Sequence, residues 1–257
     1  LTKSLLPTSV LHLELETSNL KFESISGKAR EREIGVEFQS FYEVENLDHP
    51  EKLITVHRSA LDGVAHRSMH GPFGDLCPGS FDPLVREVSA KRMKQAFKIA
   101  KELKAESIVL HGGYVPNTSS PEGYVSRSIL YWKELLQATP VSLHIENHLD
   151  NTPDILMKII DGVGDPRLGV CLDIGHAHAF SDFTPPEWVA QLGERITYVH
   201  LHDNHGKRDE HLRLGAGSLP VTDTLRALEK FAPEAIWAIE ADEEGSYEWL
   251  QEHQFIG

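Results

Sequence analysis

The segment YVHLHDNHGKRDEHLRLGAG, from Tyr198 to Gly217, concentrates more imidazole and carboxylate side chains than structural needs readily explain. Its first five residues are typical of a strand, on which His200 and His202 share one face because side chains alternate. Asp209 and His211 lie two residues apart and can reach one point if their segment is extended. The segment therefore predicts a strand that leads into a metal site. The alternative is a polar surface loop with solvated histidines, and the rest of the chain must decide.

Outward from this segment, apolar strand-like runs alternate with amphipathic helical patterns at intervals of roughly 30 residues. The predicted strands cover residues 3–10, 34–41, 66–70, 107–111, 141–146, 168–174, 198–202 and 235–240. The predicted helices cover residues 11–32, 50–60, 89–104, 124–137, 153–162, 185–192 and 221–231. This rhythm predicts an α/β protein with one parallel (β/α)8 TIM barrel domain over residues 1–257. A doubly wound open sheet is the alternative, but no Gly-rich phosphate loop follows the first strand.

Length and composition fit such a barrel, because α/β barrels commonly run to about 250 residues and this chain has 257. Hydrophobic residues make up 40% and charged residues 25%, and no apolar run approaches the roughly 18 residues that a membrane span needs. We expect a globular protein without a membrane partner. The N-terminal residues show no apolar core of a secretory signal, and the two cysteines, Cys77 and Cys171, are too few for a disulfide framework. A reducing cytoplasm is therefore the expected location.

The charge balance narrows the class of partner. The formal net charge of −14 argues against a polyanionic partner that covers the whole surface, although a small phosphate stays compatible with it. The fifteen histidines are many for this length, and several stand at the ends of predicted strands. Composition thus favours a small-molecule partner over nucleic acid, and it says nothing about the oligomeric state.

Potential metal ligands end every predicted strand from the third onward. In a barrel the C-terminal strand ends converge on one mouth, which would bring these distant residues together. Asp173 is followed by His176 in a D-x-x-H pair, and Asp209 is followed by His211 in a D-x-H pair. The complete predicted set comprises five imidazoles and four carboxylates: His70, His111, Glu146, Asp173, His176, His200, Asp209, His211 and Glu240.

Nine such groups at one mouth predict bound cations, because buried carboxylates need pairing and desolvation penalises their charge. Imidazole with carboxylate suits a divalent transition metal, zinc or manganese above all, better than calcium or magnesium. We expect one to three ions in each chain. Cys171 lies on the same strand face as the predicted ligand Asp173 and is interpreted as a small core residue. His144 is interpreted as a residue one layer deeper in the barrel.

Three residues are candidates for substrate contacts beside these ligands. Phe73 and Tyr114, in loops after strands, could form an apolar wall for a sugar, although loop aromatics often serve packing alone. Arg208 stands in the segment that carries the D-x-H pair and could meet an anionic group. No G-x-S-x-G elbow and no Walker loop occurs in the sequence.

These residues resemble the xylose isomerase-like TIM barrel superfamily, which includes sugar isomerases, ketose epimerases and apurinic endonucleases of the endonuclease IV type. The resemblance runs from Ile34 onward. It implies that Glu146, Asp173, His200 and Glu240 hold one metal ion as in the epimerases, with Glu146 and Glu240 as the acid/base pair. The motifs CLDIGH and DEHLRLG resemble the endonucleases, in which all nine positions hold three zinc ions. At His211 the chain departs from the epimerases, which commonly have a substrate-binding arginine there.

Two chemistries follow. The first is a metal-dependent isomerase or epimerase of a small sugar or sugar phosphate, acting by proton transfer through a stabilised enediolate. The alternative is an endonuclease IV-like phosphodiesterase that hydrolyses an apurinic site or a small phosphoester. The number of ligands favours the hydrolase, whereas acidic mouth loops such as EVENLDHPEK and ADEEGSYE favour the small-molecule enzyme. Lyase chemistry and a non-catalytic metal-binding module remain further possibilities.

Overall fold

Eight parallel strands close into a barrel in the computed structural model, which describes the backbone of residues 9–13 and 19–257 and side chains from residue 24 onward. Each strand pairs with the next along the chain, and the eighth pairs with the first. The predicted α/β fold, a (β/α)8 TIM barrel, is confirmed. The strands are β1 (Ser9–Leu13), β2 (Gly35–Phe38), β3 (Arg67–His70), β4 (Ser107–His111), β5 (Ser142–Glu146), β6 (Leu168–Asp173), β7 (Ile196–Leu201) and β8 (Ile236–Ile239).

Helices connect these strands on the outside of the barrel. The described α-helices are α1 (Asn19–Glu31), α2 (Val44–Asp48), α3 (Glu51–Ala60), α4 (Pro83–Leu103), α5 (Pro121–Leu135), α6 (Asp154–Val163), α7 (Ile174–Phe180), α8 (Pro185–Leu192), α9 (Val221–Phe231) and α10 (Glu243–Glu252). Short 3-10 turns follow α5 and α8.

The helices begin and end at local signals in the sequence. The carboxylate of Asp82 accepts a hydrogen bond from the Leu84 amide at 2.8 Å, and Pro83 is the first helical residue of α4. The helix therefore begins six residues before the predicted residue 89. At its other end, Lys104 adopts a left-handed conformation with φ of 59° and closes α4.

Some predicted boundaries were wrong. Residues 11–13 continue β1 instead of beginning the helix predicted over 11–32, since they pair with β2 in register. The strand predicted over 3–10 reaches the described residues at 9–10 only, and its first residues lie outside them. β2 ends at Phe38, and Phe41 turns inward to pack against it at a ring distance of 6.1 Å. The prediction missed α2, which has five residues, α7, which follows β6 directly, and α10, which begins in an acidic run without a clear apolar stripe.

The barrel interior is a stack of side chains from alternate strand positions. Its deeper layer contains the buried residues Val109, Cys171, Tyr198 and Ala238, which pack together. Because side chains two residues apart on a strand point the same way, the next inward positions are His111, Asp173, His200 and Glu240. Cys171 is thus a core residue, as predicted from the sequence. The larger hydrophobic core lies between the strands and the helices, where Trp132, Trp188 and Trp237 are fully buried.

Candidate metal centre

The strand register brings the predicted ligands to one mouth. His111 lies opposite Glu146 across β4 and β5, and Asp173 lies opposite His200 across β6 and β7. Both carboxylates and His200 are at most 1% exposed. Such burial of polar groups is costly unless each one is paired, so the partners of these side chains decide what the site can do.

The Glu146 carboxylate stands between two groups of imidazoles. Its Oε2 lies 3.1 Å from His70 Nε2 and 3.2 Å from His111 Nε2. Its Oε1 lies 3.3 Å from His200 Nδ1 and 3.4 Å from His176 Nδ1. One carboxylate therefore links the β3 and β4 side of the mouth to the β6 and β7 side.

A second group forms around His200. Its Nδ1 lies 3.2 Å from Glu240 Oε2 and 3.8 Å from Asp173 Oδ2, in addition to its approach to Glu146. These three carboxylates come from β5, the end of β6 and the residue after β8. The geometry collects the four side chains that the resemblance assigns to a single metal ion.

A third group forms around Asp209, in the loop between β7 and α9. Its Oδ2 lies 2.9 Å from His211 Nε2 and 3.2 Å from His176 Nε2. Its Oδ1 is buried and has no hydrogen bond among the described residues. His211 adopts a left-handed conformation with φ of 48°, a backbone strain that often accompanies functional sites. All nine predicted ligands thus lie within three adjoining groups.

In four of the five predicted ligand histidines, one ring nitrogen faces a carboxylate of the site. The other nitrogen contacts a backbone carbonyl oxygen or, in His200, the carboxylate of Glu37. These contacts are His70 Nδ1 to Gly71 O (3.0 Å), His176 Nδ1 to Asn147 O (2.9 Å), His200 Nε2 to Glu37 Oε2 (3.2 Å) and His211 Nδ1 to Glu240 O (3.4 Å). In a neutral ring, an N–H donated to that oxygen leaves the other nitrogen without a proton, although in His176 the same Nδ1 also lies 3.4 Å from Glu146 Oε1. That is the arrangement of metal-ligating histidines, which donate their second N–H to a carbonyl or a carboxylate.

Burial and close charges shift the acidities of the cluster in opposite directions. Burial would raise the pKa of Glu146, but His111 and His200 outweigh it and hold this pKa well below its usual range. Burial raises the pKa of Glu240 to about 7, although His200 opposes the shift. Protons and cations therefore compete for the same atoms, as expected where a metal must displace protons from its ligands.

The residues present fit a divalent transition metal. Several groups of three or more donors have ligand atoms within 4.8 Å of one another, including His70 with Glu146 and His200, and Asp173 with His200 and Glu240. The donors are imidazole nitrogens and carboxylate oxygens, the set that zinc, manganese and iron accept. The buried Asp209 Oδ1, which has no hydrogen-bond partner among the described residues, is placed as a ligand atom would be.

Two residues of the site were not among the predicted ligands. His202 is fully buried, and its Nε2 lies 3.0 and 3.1 Å from the two oxygens of Asp173. Glu37 of β2 is also fully buried and accepts hydrogen bonds from Tyr198 Oη at 2.6 Å and His200 Nε2 at 3.2 Å. The available signals were the strand face shared by His202 and His200, and a lone carboxylate in the apolar stretch IGVEF.

The three candidate substrate residues differ in position. Phe73 stacks on His111 with ring centroids 4.6 Å apart and on Tyr42 with centroids 5.3 Å apart, so it forms an aromatic wall beside the ligands. Tyr114 is buried against Tyr124 at 4.9 Å and takes part in packing. Arg208 is exposed on the loop that carries Asp209. A cavity of about 820 Å³ lies between α4 and α5, and none of the predicted ligands lines it.

Residues 48–256 match the family described as xylose isomerase-like TIM barrel, and the chain belongs to this family. It is 32% identical over 188 residues to the uncharacterized protein MJ1311 of Methanocaldococcus jannaschii, covering 67% of this chain and 63% of that protein. It is 27% identical over 165 residues to a probable endonuclease 4 of Mycobacterium leprae, covering 59% of this chain and 64% of that protein. The chain spans slightly less than two thirds of the length of these curated relatives.

Solved structures resemble the whole barrel. The TTHB071 protein from Thermus thermophilus, from crystals soaked with ZnCl2, has a TM-score of 0.76 and 26% identity, covering 96% of this chain and 97% of that one. A D-tagatose 3-epimerase-like protein has a TM-score of 0.74 and 24% identity, with the same coverage, which shows a shared fold. Within the described residues, no helix combines the length and the apolar character that crossing a membrane demands.

Proposed function

We propose that the protein is a multinuclear metal-dependent enzyme that hydrolyses phosphoester bonds. The observation that carries this proposal is the placement of Glu146, whose two oxygens face separate imidazole groups at 3.1–3.4 Å. A single-metal site has no use for the additional donors His70 and His111 on one side and Asp209 and His211 on the other. The probable endonuclease 4 relatives support the same chemistry.

Each group would hold one ion. His70, His111 and Glu146 would hold the first, Glu146, Asp173, His200 and Glu240 the second, and His176, Asp209 and His211 the third. Zinc or manganese bound there would supply Lewis-acid stabilisation of the negative charge that develops on phosphoryl oxygens. The chain itself would fix the spacing of the groups through Glu146.

The surroundings of the ligands would shape the substrate site. The aromatic wall of Phe73 and Tyr42 covers the side of the mouth next to His111 and would exclude water from it. The exposed Arg208 could meet an anionic substrate, since a guanidinium pairs well with phosphate oxygens. Mouth loops that are mostly acidic favour a small phosphoester over a long duplex, because duplex binding needs many Lys and Arg contacts to phosphates.

A second candidate is the isomerase or epimerase of a sugar or sugar phosphate. It is favoured by the positions of Glu146 Oε1 and Glu240 Oε2, which lie 3.3 and 3.2 Å from the same nitrogen of His200. Two carboxylates on either side of one ligand could remove and return a proton at a substrate carbon. Glu146 and Glu240 would then be the catalytic pair, and the metal ion would stabilise the enediolate charge.

One experiment separates the two candidates. Protein loaded with zinc or manganese is tested for hydrolysis of bis(p-nitrophenyl) phosphate, small sugar phosphates and an oligonucleotide with one abasic site. The same protein is tested in deuterated water for incorporation of deuterium into aldoses, ketoses and their phosphates. Hydrolysis that is abolished in Asp209→Asn supports the first proposal. Deuterium incorporation without hydrolysis, lost in Glu240→Gln, would replace it with the second.

A further inference from the structure

His202 occupies a position in the cluster that no predicted ligand fills. Its ring lies flat against His211, with centroids 4.3 Å apart and an angle of 9° between the planes. Its Nε2 points at Asp173, 3.0 Å from Oδ1 and 3.1 Å from Oδ2. The same nitrogen lies 3.6 Å from Asp209 Oδ1 and 4.0 Å from Glu240 Oε2. His202 therefore stands between the second and third ligand groups.

The fold reserves space for this ring. Gly175, at the start of α7, faces it so closely that a Cβ built on the glycine would lie 2.0 Å from His202 Cε1. Asp173, which precedes Gly175 by two residues, caps α7 by accepting a hydrogen bond from the His176 amide at 2.6 Å. One short segment thus supplies the carboxylate, the space for the imidazole beside it and the neighbouring ligand His176.

His202, His211 and Glu240 also have donor atoms close enough to hold a metal ion. The second nitrogen of His202 distinguishes that ligand role from a positioning role. Its Nδ1 is buried and has no hydrogen bond among the described residues, whereas four of the predicted ligand histidines have an outward oxygen contact. If Nε2 bound a metal ion, the proton would stay on Nδ1 as a buried donor without an acceptor. If the proton is on Nε2, the ring donates to Asp173 and leaves a lone pair on Nδ1. The second arrangement avoids the unsatisfied N–H donor.

We propose that His202 is a positioning residue that donates its Nε2–H to both oxygens of Asp173 and thereby orients this carboxylate for the second metal ion. The proposal rests on the metal centre described above. The role resembles that of other residues that hold metal ligands in place, whose substitution typically weakens metal binding about 10–100-fold. The stack against His211 places the same ring beside the third group.

Two variants of nearly equal size test the proposal. In His202→Gln, the side-chain amide can still donate an N–H near the position of Nε2, whereas in His202→Met a chain of the same length has no donor. Metal per chain is measured by elemental analysis, metal affinity by competition with a chelator, and the coordination by the visible absorption of the Co(II)-loaded protein. His205→Ala, an exposed histidine of the same segment, is the control.

We expect both variants to bind as many ions as the wild type. Affinity for the most sensitive ion should fall about 10–100-fold in His202→Met and only a few-fold in His202→Gln, with a changed Co(II) spectrum in His202→Met. Loss of one ion from both variants would make His202 a ligand and overturn the proposal, as would unchanged affinity in His202→Met. A wild-type protein that binds no metal would instead overturn the proposed function.

Discussion

At the scale of single residues, the carboxylate of Glu37 contacts the outward nitrogen of a proposed metal ligand, His200. Its Oε2 accepts from His200 Nε2 at 3.2 Å and from Tyr198 Oη at 2.6 Å, and Ser68 Oγ lies 2.8 Å from the same hydroxyl. The charge on Glu37 favours a proton on the outward nitrogen of His200 and leaves the inward nitrogen available. A polar chain thus runs from the deeper barrel layer to the metal centre.

Glu37→Gln keeps the size of the side chain and removes its charge. We expect metal affinity to fall about 10–100-fold, because an orienting carboxylate raises the basicity of the histidine that it contacts. Chelator competition measures the affinity, and Glu106→Gln, at an exposed carboxylate, is the control. Equal affinities for Glu37→Gln and the wild type would show that His200 needs no such partner.

His57 predicts a pH dependence of stability that is separate from the metal centre. The ring is fully buried on α3; Nδ1 donates to Leu53 O at 2.8 Å, and Ser40 Oγ lies 3.0 Å from Nε2. Burial lowers its pKa to about 4, although the hydrogen bond to the Leu53 carbonyl opposes the shift. The folded state therefore binds this proton less readily than the unfolded chain, whose histidine titrates near 6.5.

Stability from His57 is complete above pH 6.5 and is lost as the pH falls toward 4. A fall of the pKa from 6.5 to about 4 corresponds to roughly 3 kcal/mol of the free energy of unfolding. Urea unfolding at several pH values measures the free energy of unfolding of the metal-free wild type and of metal-free His57→Gln. We expect the variant to lose less of it than the wild type as the pH falls, by about that amount. Parallel curves for the two proteins between pH 7 and 4 would contradict the assignment.

At the scale of elements, one buried carboxylate organises the loop between β7 and α9. Asp203 accepts from the amides of Asn204 and Leu219 through Oδ1 and from those of Gly215 and Gly217 through Oδ2. A Cβ at Gly217 would lie 2.4 Å from that carboxylate, so the close approach needs glycine. The loop that presents Asp209 and His211 is thus closed at its base by a side chain that is not among the proposed ligands.

Asp203→Asn should loosen this loop, because one amide group replaces an acceptor oxygen that two backbone N–H groups use. We expect the protein to lose the third ion, held by Asp209 and His211, and to keep the ions around Glu146. Elemental analysis and limited proteolysis within residues 204–219 measure the two effects. Glu210→Gln changes a carboxylate of the same loop and serves as the control; an identical loss of metal in both variants would reject the specific role of Asp203.

Elements with a clear hydrophobic periodicity were predicted from the sequence more accurately than elements that depend on tertiary contacts. α3, β4 and α9 follow their patterns nearly to the residue, whereas α10 begins after Asp242 in an acidic run without a clear apolar stripe. The convergence of the nine candidate ligands could be predicted because a parallel barrel brings strand ends and the loops that follow them together. His202 and Glu37 could not be, since their roles depend on which nitrogen or oxygen faces which partner.

At the scale of the whole molecule, the proposed metal ions would compete with protons for the cluster. Burial would lower the pKa of His211, but Asp209 and Glu240 raise it to about 10, and the carboxylates around His176 and His200 also raise the pKa of these rings. The carboxylates therefore favour the protonated form of these imidazoles in the metal-free protein. Metal binding must release protons, since only the neutral ring coordinates.

Calorimetric titration with zinc at pH 7 in buffers of different ionisation enthalpy counts the protons released. We expect at least one proton to leave for each ion bound at the third group, and the apparent affinity to fall as the pH is lowered from 7 to 5. The Asp209→Asn variant should release fewer protons. A heat of binding that is independent of the buffer would contradict the charge state inferred for the cluster.

The proposed metal ions would stabilise the convergence of nine acids and imidazoles at one mouth of the barrel. The most direct test is elemental analysis of the protein after reconstitution with zinc or manganese and removal of free metal, together with Glu146→Gln. We predict at least two ions in each wild-type chain and the loss of more than one in the variant, because Glu146 serves two groups. A wild-type chain that retains no ion, or a single ion indifferent to Glu146, would contradict the account.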